Sequence, residues 1–201
     1  GITDCYASSL LKAVPGSLHG YDLIDPGELN PELGNQADFA AFSAALKQYD
    51  MGLLLDVVPN HMGILSADNR WWWDVLENGP GSRYAEAFDV DWTPLKRELT
   101  NKVLLPILGE QYGTVLEQQD IRLVAEEGGF VVTYGHHRLP VTAASWNHIL
   151  SFCMEALVER LGEESSAVQE LRSIMTALRH LPPGHDRSPE AIAERDRETQ
   201  L

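Results

Sequence analysis

The sequence predicts an α/β fold built on a parallel sheet, and three segments near its start predict it. Residues 2–7 form a short apolar run with little alternation, which is typical of a strand buried on both faces. A helix follows, because large apolar residues recur at helical spacing: Phe39, Phe42, Leu46 and Tyr49. A second apolar strand covers residues 53–58 and is interrupted only by Asp56. Strand, helix and strand in this order form a βαβ unit, whose strands lie parallel.

The connections of this unit indicate where a ligand would bind. A long loop over residues 8–33 is rich in glycine, proline, asparagine and aspartate, which favour turns. The helix begins near Asp38 and ends before Gly52, and Pro59 ends the second strand. In parallel sheets, ligands bind beyond the carboxyl ends of the strands. A site is therefore expected in the segments 8–33 and 60–73.

The character of the sequence changes after the second strand, where the segments become short and mixed. Residues 102–108 resemble a strand, and residues 121–125 and 130–133 flank a Gly-Gly pair in a pattern typical of a hairpin. We therefore expect an inserted α+β subdomain over residues 62–145. The remaining residues, 146–201, are predicted to be helical.

Two apolar helix faces and a charged last helix are predicted in this final segment. The first face contains Leu150, Cys153, Met154, Leu157 and Leu161, and the second contains Leu171, Ile174, Met175 and Leu178. Residues 182–184 (Pro-Pro-Gly) separate them from the last helix, which Ser188 is placed to cap. The sequence thus divides into segments 1–61, 62–145 and 146–201.

The charge balance limits the classes of partner. The chain carries 15 basic and 30 acidic side chains, which gives a formal net charge of -15 at neutral pH. This negative field repels phosphate backbones and anionic lipid surfaces, so we expect neither nucleic acid nor a membrane as a partner. A neutral ligand such as a sugar is compatible with it. Acidity that serves solubility alone is the alternative explanation.

The cysteines and the chain ends bear on location. Cys5 and Cys153 lie far apart in apolar stretches, and we expect buried thiols rather than a disulfide or a metal pair. This fits a reducing compartment, and the sequence contains no signal peptide and no run long enough to span a bilayer, so a cytoplasmic location is predicted. The chain begins with Gly1 and ends in a charged helical pattern, so both ends are expected to be cuts through a longer protein.

Asp56 is the most informative single position. A carboxylate in a buried strand is costly unless it is paired or hydrogen-bonded, and a site at the end of the strand explains its presence. An acid that anchors a neighbouring loop is the alternative. Asn60 and His61 follow where the strand opens into its loop, and both side chains can hydrogen-bond sugar hydroxyls. We therefore predict that Asp56, Asn60 and His61 bind substrate together.

Aromatic residues supply the second part of the predicted site. Tyr21 lies in a His-Gly-Tyr-Asp motif between His19 and Asp22. Aromatic rings stack on the apolar faces of pyranose rings, while polar neighbours contact the hydroxyls. Trp72 belongs to a run of tryptophans, of which one or two are expected to line a sugar subsite and at least one to belong to the core. Packing beneath a loop is the alternative for Tyr21, and core packing is the alternative for each tryptophan.

No consistent ligand set for a metal ion is present in the sequence. The remaining histidines are expected on the solvated surface: His136, His137, His180 and His185. Asp89 and Asp91 lack the glycine-containing loop and terminal glutamate of an EF-hand. No phosphate-binding or dinucleotide-binding glycine motif is present either. We therefore predict neither a metal nor a cofactor.

The motif DVVPNH at residues 56–61 resembles the third-strand motif of the α-amylase superfamily of glycoside hydrolases and transglycosylases. Further motifs narrow the resemblance to the malto-oligosyltrehalose synthases. They are YAS at 6–8, GSLHGYD at 16–22, NPELG at 30–34, WWWDVLE at 71–77, KVLLPILG at 102–109, HRLP at 137–140 and LPP at 181–183. The resemblance covers nearly the whole chain. It implies a partial (β/α)8, or TIM, barrel, in which residues 1–61 supply the second and third strands and the inserted subdomain follows the third.

This resemblance implies an intramolecular transglycosylase, which is an isomerase. Its substrate is a malto-oligosaccharide, whose reducing-end α-1,4 linkage becomes an α,α-1,1 linkage, so that a terminal trehalose unit remains. The implied mechanism retains configuration and uses a carboxylate nucleophile, a carboxylic acid as proton donor and a glycosyl-enzyme intermediate.

The same resemblance implies roles for the site residues. Asp56 supports the site next to the nucleophile, His61 hydrogen-bonds the sugar at the cleavage point, and Tyr21 stacks on that sugar. Asn60 braces the inserted subdomain. In calcium-dependent amylases the matching asparagine helps to bind the ion, and calcium is not expected to be needed here.

The chain departs from the family pattern in what it lacks. Family members carry the nucleophile Asp after the fourth strand, the acid Glu after the fifth and another essential Asp after the seventh, and the chain contains no Gly-Phe-Arg-x-Asp motif. The first barrel strand is missing too, and Ser9 replaces the usual proline. No catalytic residue is therefore predicted within residues 1–201, and this segment alone is expected to be inactive. The alternatives are a piece of an α-amylase-like glucan hydrolase and a non-catalytic glucan-binding module.

Overall fold

The computed structural model describes residues 1–126 and 128–198. Residues 1–71 form one compact unit, and the described residues from Trp72 onward form a second. The last three residues of the predicted helical segment 146–201 lie outside the described part of the chain.

The first unit contains the predicted βαβ arrangement. Strands β1 (Asp4–Ala7) and β4 (Gly52–Leu55) pair in parallel, and helix α1 (Gln36–Gln48) lies between them in the sequence. The side chain of Asn35 caps α1 by accepting from the backbone N–H groups of Ala37 and Asp38, while the Asp38 carboxylate accepts from the Asn35 N–H. This reciprocal pair is a capping box, which explains why the helix begins where Asp38 predicts.

The segment predicted as a loop over residues 8–33 instead contains a hairpin. Strand β2 (Leu11–Ala13) pairs antiparallel with β3 (Leu23–Leu29), and Lys12 donates to the Glu28 carboxylate at 2.7 Å across the pair. The pairing has register shifts on both sides of Lys12. The prediction was wrong because the turn formers mark the connection of this irregular hairpin and conceal the short strands on either side of it.

The second predicted strand is shorter and more exposed than its sequence indicates. It ends at Leu55 rather than at residue 58, although the N–H of Asp56 still donates to the carbonyl of Ala7 at 3.0 Å. Leu54 is 59% exposed and Val57 is 57% exposed, so the prediction of a buried strand is wrong for the described chain. The reason is that the sheet containing β1 and β4 has two strands, whereas the apolar run is typical of a strand covered on both faces.

The second unit is mixed α and β. Helix α2 (Arg70–Asn78) crosses the point in the sequence where the units divide, and two 3-10 turns follow at Gly79–Gly81 and Arg97–Leu99. The later elements are α3 (Tyr112–Glu117), β5 (Ile121–Glu126), β6 (Gly129–Tyr134), β7 (His137–Pro140), α4 (Ala143–Leu161), α5 (Ser166–Arg179) and α6 (Pro189–Glu198). None of the described helices is both long and apolar enough to cross a membrane.

The sheet of this unit confirms one prediction and contradicts another. Strands β5 and β6 form the predicted hairpin, and β7, which the sequence did not indicate, pairs with β6 on its other side. Residues 102–108 form no strand. Pro106 lies within this segment and has no backbone N–H to donate, so the apolar run there does not lead to strand pairing.

The helices pack with a narrower buried face than the sequence predicts. On α5, Val168, Met175 and Leu178 are buried. On α4, Met154 is half-buried but Cys153 is exposed, so the prediction of a buried Cys153 thiol is wrong. Successive residues of a helix point about 100° apart, so α4 buries the Met154 side and leaves its neighbour in solvent. Cys5 is half-buried.

A buried arginine joins distant parts of the second unit. The Arg195 guanidinium on α6 donates to the carbonyls of Pro183 at 2.7 Å, Gly81 at 2.8 Å and Asp186 at 2.9 Å, and the residue is 7% exposed. The N–H of Gly81 also donates to the carbonyl of Gly184 at 2.8 Å. A Cβ atom at position 81 would lie 2.4 Å from both an Arg195 nitrogen and the Gly184 oxygen, so only glycine allows this approach.

We expect residues 1–201, when produced alone, to be marginally stable or to aggregate. The exposed apolar side chains of β1 and β4 and the open edges of that sheet favour association. Size-exclusion chromatography and a thermal melt test this. A soluble monomer with a sharp cooperative transition would contradict the prediction.

We expect Arg195→Met to lower the free energy of unfolding of the intact protein by about 3 kcal/mol, because the buried contact to the Gly81 carbonyl and the part-buried contacts to the Pro183 and Asp186 carbonyls lose a charged donor. Denaturant titration measures the loss. Arg197→Met on the same helix is the matched control, since Arg197 is exposed and its replacement should change little. Equal effects of the two substitutions would contradict the importance assigned to the carbonyl contacts.

Candidate functional site

Asp56 lies at the centre of the site, one residue beyond the end of β4. In the parallel pairing Tyr6 of β1 is opposite Leu54 of β4. Because side chains alternate along a strand, Tyr6, Leu54 and Asp56 project from the same face of the sheet. The Tyr6 hydroxyl accordingly donates to Oδ2 of Asp56 at 2.6 Å.

Tyr21 reaches the same carboxylate from a different part of the chain. It lies between β2 and β3, and its hydroxyl donates to the same Oδ2 atom at 3.0 Å. Three segments that are distant in sequence therefore meet at one oxygen atom beyond the carboxyl ends of β1 and β4. This is the edge at which parallel sheets bind ligands.

The two phenol donors favour the charged form of Asp56. The Tyr6 hydroxyl, followed by the Tyr21 hydroxyl, lowers the pKa of the Asp56 carboxyl below its ordinary value, and a backbone hydrogen bond from Val57 acts in the same direction. Partial burial opposes them. The hydrogen bond between Tyr6 and Asp56 also raises the pKa of the Tyr6 hydroxyl. Hydrogen bonds that favour a charged carboxylate shift its titration in this direction.

His19 contacts both the ring and the backbone of Tyr21. The two rings are stacked, with centroids 6.0 Å apart and an interplanar angle of 13°. Nδ1 of His19 accepts from the Tyr21 backbone N–H at 3.0 Å. The same Nδ1 atom lies 3.7 Å from Oδ1 of Asp22.

Close backbone approaches shape the loop that carries Tyr21. Gly20 has a φ of +73°, and a Cβ atom there would lie 3.1 Å from the carbonyl oxygen of Ser9. The Ser17 hydroxyl donates to Asp22 and accepts from the Gly20 N–H. Glycine at position 20 therefore allows a turn that a larger residue would strain.

A second close approach joins this loop to the segment after Asp56. The N–H of Gly63 donates to the carbonyl of Leu23 at 2.7 Å, and a Cβ atom on Gly63 would lie 2.7 Å from Cγ2 of Val14. The buried Asn69 side chain donates to the Gly63 carbonyl at 3.0 Å. These contacts fix the β2–β3 hairpin against the chain that leaves β4.

The remaining predicted residues divide into two groups. Asn60 and His61 are exposed and adjacent, with Nδ1 of His61 3.0 Å from Oδ1 of Asn60, and no hydrogen bond joins either to Asp56 in the described chain. Trp72 belongs to the second unit, is 5% exposed and packs against Phe88 with ring centroids 4.9 Å apart. Its burial agrees with core packing, which the sequence left as the alternative.

Tyr6 is the site residue that sequence reasoning missed. The sequence shows Tyr6 only as part of an apolar strand and indicates no partner for its hydroxyl. The available signal was its position near the end of the first strand of a βαβ unit whose second strand ends in Asp56, because parallel pairing brings such positions together. Its side chain is 64% exposed, so it does not serve as a core residue.

No group of three or more histidine, cysteine, aspartate or glutamate side chains in residues 1–126 and 128–198 is arranged to hold a metal ion. His136, His180 and His185 are exposed, as the sequence predicts. His137 is half-buried at the start of β7, where burial, and to a smaller extent His136, lowers its pKa.

Comparison with known proteins gives a consistent picture for the first half of the chain. The family described as "Alpha amylase, catalytic domain" matches residues 1–113, which is more than half of the chain. The "Putative maltooligosyl trehalose synthase" of Mycobacterium tuberculosis (strain CDC 1551 / Oshkosh) is 47% identical over 111 residues, covering 54% of this chain. The "Intracellular maltogenic amylase" of Bacillus subtilis is 33% identical over 95 residues, covering 47%.

Solved structures extend the likeness beyond that region. A crystal structure titled as a maltooligosyl trehalose synthase aligns with 71% of this chain at a TM-score of 0.63 and 34% identity. A structure titled DSM5389 glycosyltrehalose synthase covers 86% at a TM-score of 0.61 and 26% identity. The chain is much shorter than these proteins: it spans 14% of the Mycobacterium relative, and 19% and 21% of the two solved chains.

We expect the Asp56 carboxyl to titrate below the value of about 3.9 found for aspartate in unstructured peptides. Its contribution to stability is therefore present above that value and is lost as the pH falls through the lower pKa of the folded state. Tyr6→Phe should raise the pKa more than Tyr21→Phe, because Tyr6 is the larger cause. Carboxyl-carbon NMR titration of the intact protein measures both shifts, and an Asp56 midpoint at or above the peptide value would contradict the proposed charge state.

Proposed function

Because the chain belongs to the alpha-amylase catalytic-domain family, we propose that it forms part of a glucan-modifying enzyme that binds malto-oligosaccharides at the Asp56 site. Its activity is proposed to be the intramolecular transfer that converts a reducing-end α-1,4 linkage to an α,α-1,1 linkage, as in trehalose-forming isomerases. The similarity to maltooligosyl trehalose synthases supports this assignment over other members of the family.

The observation that carries the proposal is the convergence of Tyr6 and Tyr21 on Asp56. It supports the proposal because an aromatic ring, a carboxylate and the polar side chains of His19 and Asp22 lie together beyond the carboxyl ends of the parallel pair, where parallel sheets generally bind ligands. A ring that packs on the apolar face of a sugar, next to groups that hydrogen-bond its hydroxyls, is the composition that carbohydrate recognition requires.

Four of the predicted residues receive roles in this proposal. Tyr21 stacks on the sugar at the cleavage point, Asp56 supports the neighbouring nucleophile, and His61 hydrogen-bonds the same sugar. Asn60 braces the segment that follows. His61 and Asn60 are exposed in this chain and therefore accessible to a ligand. Trp72 is left out of the sugar site because of its burial.

The organisation of the protein is also part of the proposal. Residues 1–61 would contribute the second and third strands of a (β/α)8 barrel, residues 62–145 an inserted subdomain, and residues 146–201 helices that precede the fourth strand. The nucleophile, the acid and the third carboxylate would lie outside these residues, so residues 1–201 alone would bind sugar weakly and catalyse little or nothing. The cytoplasm remains the predicted location.

A hydrolytic relative is the second candidate, because the maltogenic amylase of Bacillus subtilis is similar over nearly half of the chain. The two activities have opposite effects on reducing ends: isomerisation removes them without shortening the glucan, and hydrolysis creates them. Incubating the intact protein with maltohexaose, followed by reducing-end and product analysis, separates the two. Binding without any product would favour a glucan-binding module instead.

We expect Tyr21→Ala to lower kcat/KM for maltohexaose at least about tenfold, since both the stacking surface and the hydroxyl are lost. His61→Ala should lower it about tenfold through loss of one hydrogen bond. Steady-state kinetics of the intact protein measures both. Tyr49→Phe is the control, because Tyr49 is 74% exposed at the end of α1 and lies outside the site. Unchanged kinetics in both Ala variants would contradict the proposal that the Asp56 site binds the substrate.

A further inference from the structure

We propose that Tyr6 is a positioning residue, which fixes the carboxylate of Asp56 and through it the orientation of the Tyr21 ring. Tyr6 acts through its hydroxyl, which donates one hydrogen bond, and the proposal includes no contact between Tyr6 and the sugar. The inference rests on the proposed function, because Tyr21 matters here as the surface on which a sugar ring stacks.

The geometry connects the two tyrosines through one atom. Both hydroxyls donate to Oδ2 of Asp56, and the Tyr6 bond is the shorter, at 2.6 Å against 3.0 Å. A carboxylate on two rotatable bonds has no fixed direction of its own. A short bond to one tyrosine sets where Oδ2 lies, and the hydroxyl of the other tyrosine must follow it.

The two tyrosines differ in how firmly their backbones are held. Tyr6 lies within β1, paired with Leu54 of β4, and the next backbone bond, from Asp56 to Ala7, continues the ladder. Tyr21 lies in a connection between strands, next to a glycine with positive φ. Groups on strands are placed more rigidly than groups on loops. Tyr6 therefore sets the orientation of the Tyr21 side chain, rather than the reverse.

The Tyr21 ring is restrained at both of its ends in this arrangement. Asp56 holds the hydroxyl, while His19 stacks on the ring and accepts from the Tyr21 backbone N–H. Removing the restraint at the hydroxyl would leave the ring held by the His19 contact alone and therefore less firmly oriented. A stacking surface that must be ordered on binding gives weaker binding than one that is already ordered.

Core packing does not explain Tyr6. The side chain is 64% exposed, so its ring contributes little buried area, and phenylalanine would preserve what it does contribute. The hydroxyl is the part of Tyr6 with a specific partner, which makes Tyr6→Phe a substitution that removes the proposed function and little else.

A double-mutant cycle on the intact protein tests the inference with Tyr6→Phe, Tyr21→Phe and the double variant, using maltohexaose as substrate. We expect Tyr6→Phe alone to lower kcat/KM about fivefold, the loss of one charge-assisted hydrogen bond. In the Tyr21→Phe background, Tyr6→Phe should have less than about a twofold effect, because the hydroxyl that it positions is already gone. The acid limb of the pH profile should also move to higher pH in Tyr6→Phe and not in Tyr49→Phe.

The outcomes separate the inference from the proposed function. If the unmodified protein neither converts nor binds maltohexaose, the proposed function fails and this inference fails with it. If the unmodified protein is active and Tyr6→Phe matches the Tyr49→Phe control, the inference alone is overturned. Additive losses in the double variant, or an activity loss that follows a lowered thermal midpoint, would show that Tyr6 has a merely structural role and would also overturn it.

Discussion

The parallel pairing of β1 with β4 is the constraint on which the site depends. The register that places Tyr6 opposite Leu54 also places the Asp56 side chain on the same face as the Tyr6 hydroxyl. A slip of one residue would turn one of the two side chains to the opposite face. The carboxylate would then lose its shorter hydrogen bond, and Tyr21 would have no fixed acceptor. The backbone bond from Asp56 to Ala7 extends this pairing to the point where the site begins.

Close backbone approaches, in addition to the strand register, position the residues of the site. The hairpin of β2 and β3 carries Tyr21 to the edge of the parallel pair, and two glycines allow the chain to approach closely enough. Gly20 turns beneath the Ser9 carbonyl, and Gly63 packs against Val14 while donating to Leu23. A side chain at position 63 would push the hairpin away from the segment that follows Asp56, and one at position 20 would crowd the Ser9 carbonyl. The site is therefore set by main-chain geometry as much as by the side chains that form it.

Part of the fold and of the site could be predicted from the sequence, and the reason differs from residue to residue. Asp56 was identifiable because a carboxylate in an apolar strand requires an explanation, and Tyr21 because of its position beside a glycine after a strand. Tyr6 was missed because an apolar run conceals a hydroxyl, whose role depends on register. The prediction of a strand at residues 102–108 is wrong, because an apolar run alone does not supply a pairing partner and Pro106 lacks a donor. Cys153 was placed in the core because helical spacing does not define where a buried face ends.

The way in which Asp56 is held has a chemical consequence under the proposed function. Arginine or lysine would also stabilise the carboxylate, but each would cancel its charge. Phenol hydroxyls carry no net charge, so Tyr6 and Tyr21 favour the ionised form of Asp56 and leave its negative field in place. Glycosyl transfer passes through a transition state in which positive charge develops on the sugar ring. A carboxylate that stays ionised without a cationic partner is suited to a position near that charge, and a Tyr21 ring held beside it would keep the sugar at the distance where the field acts.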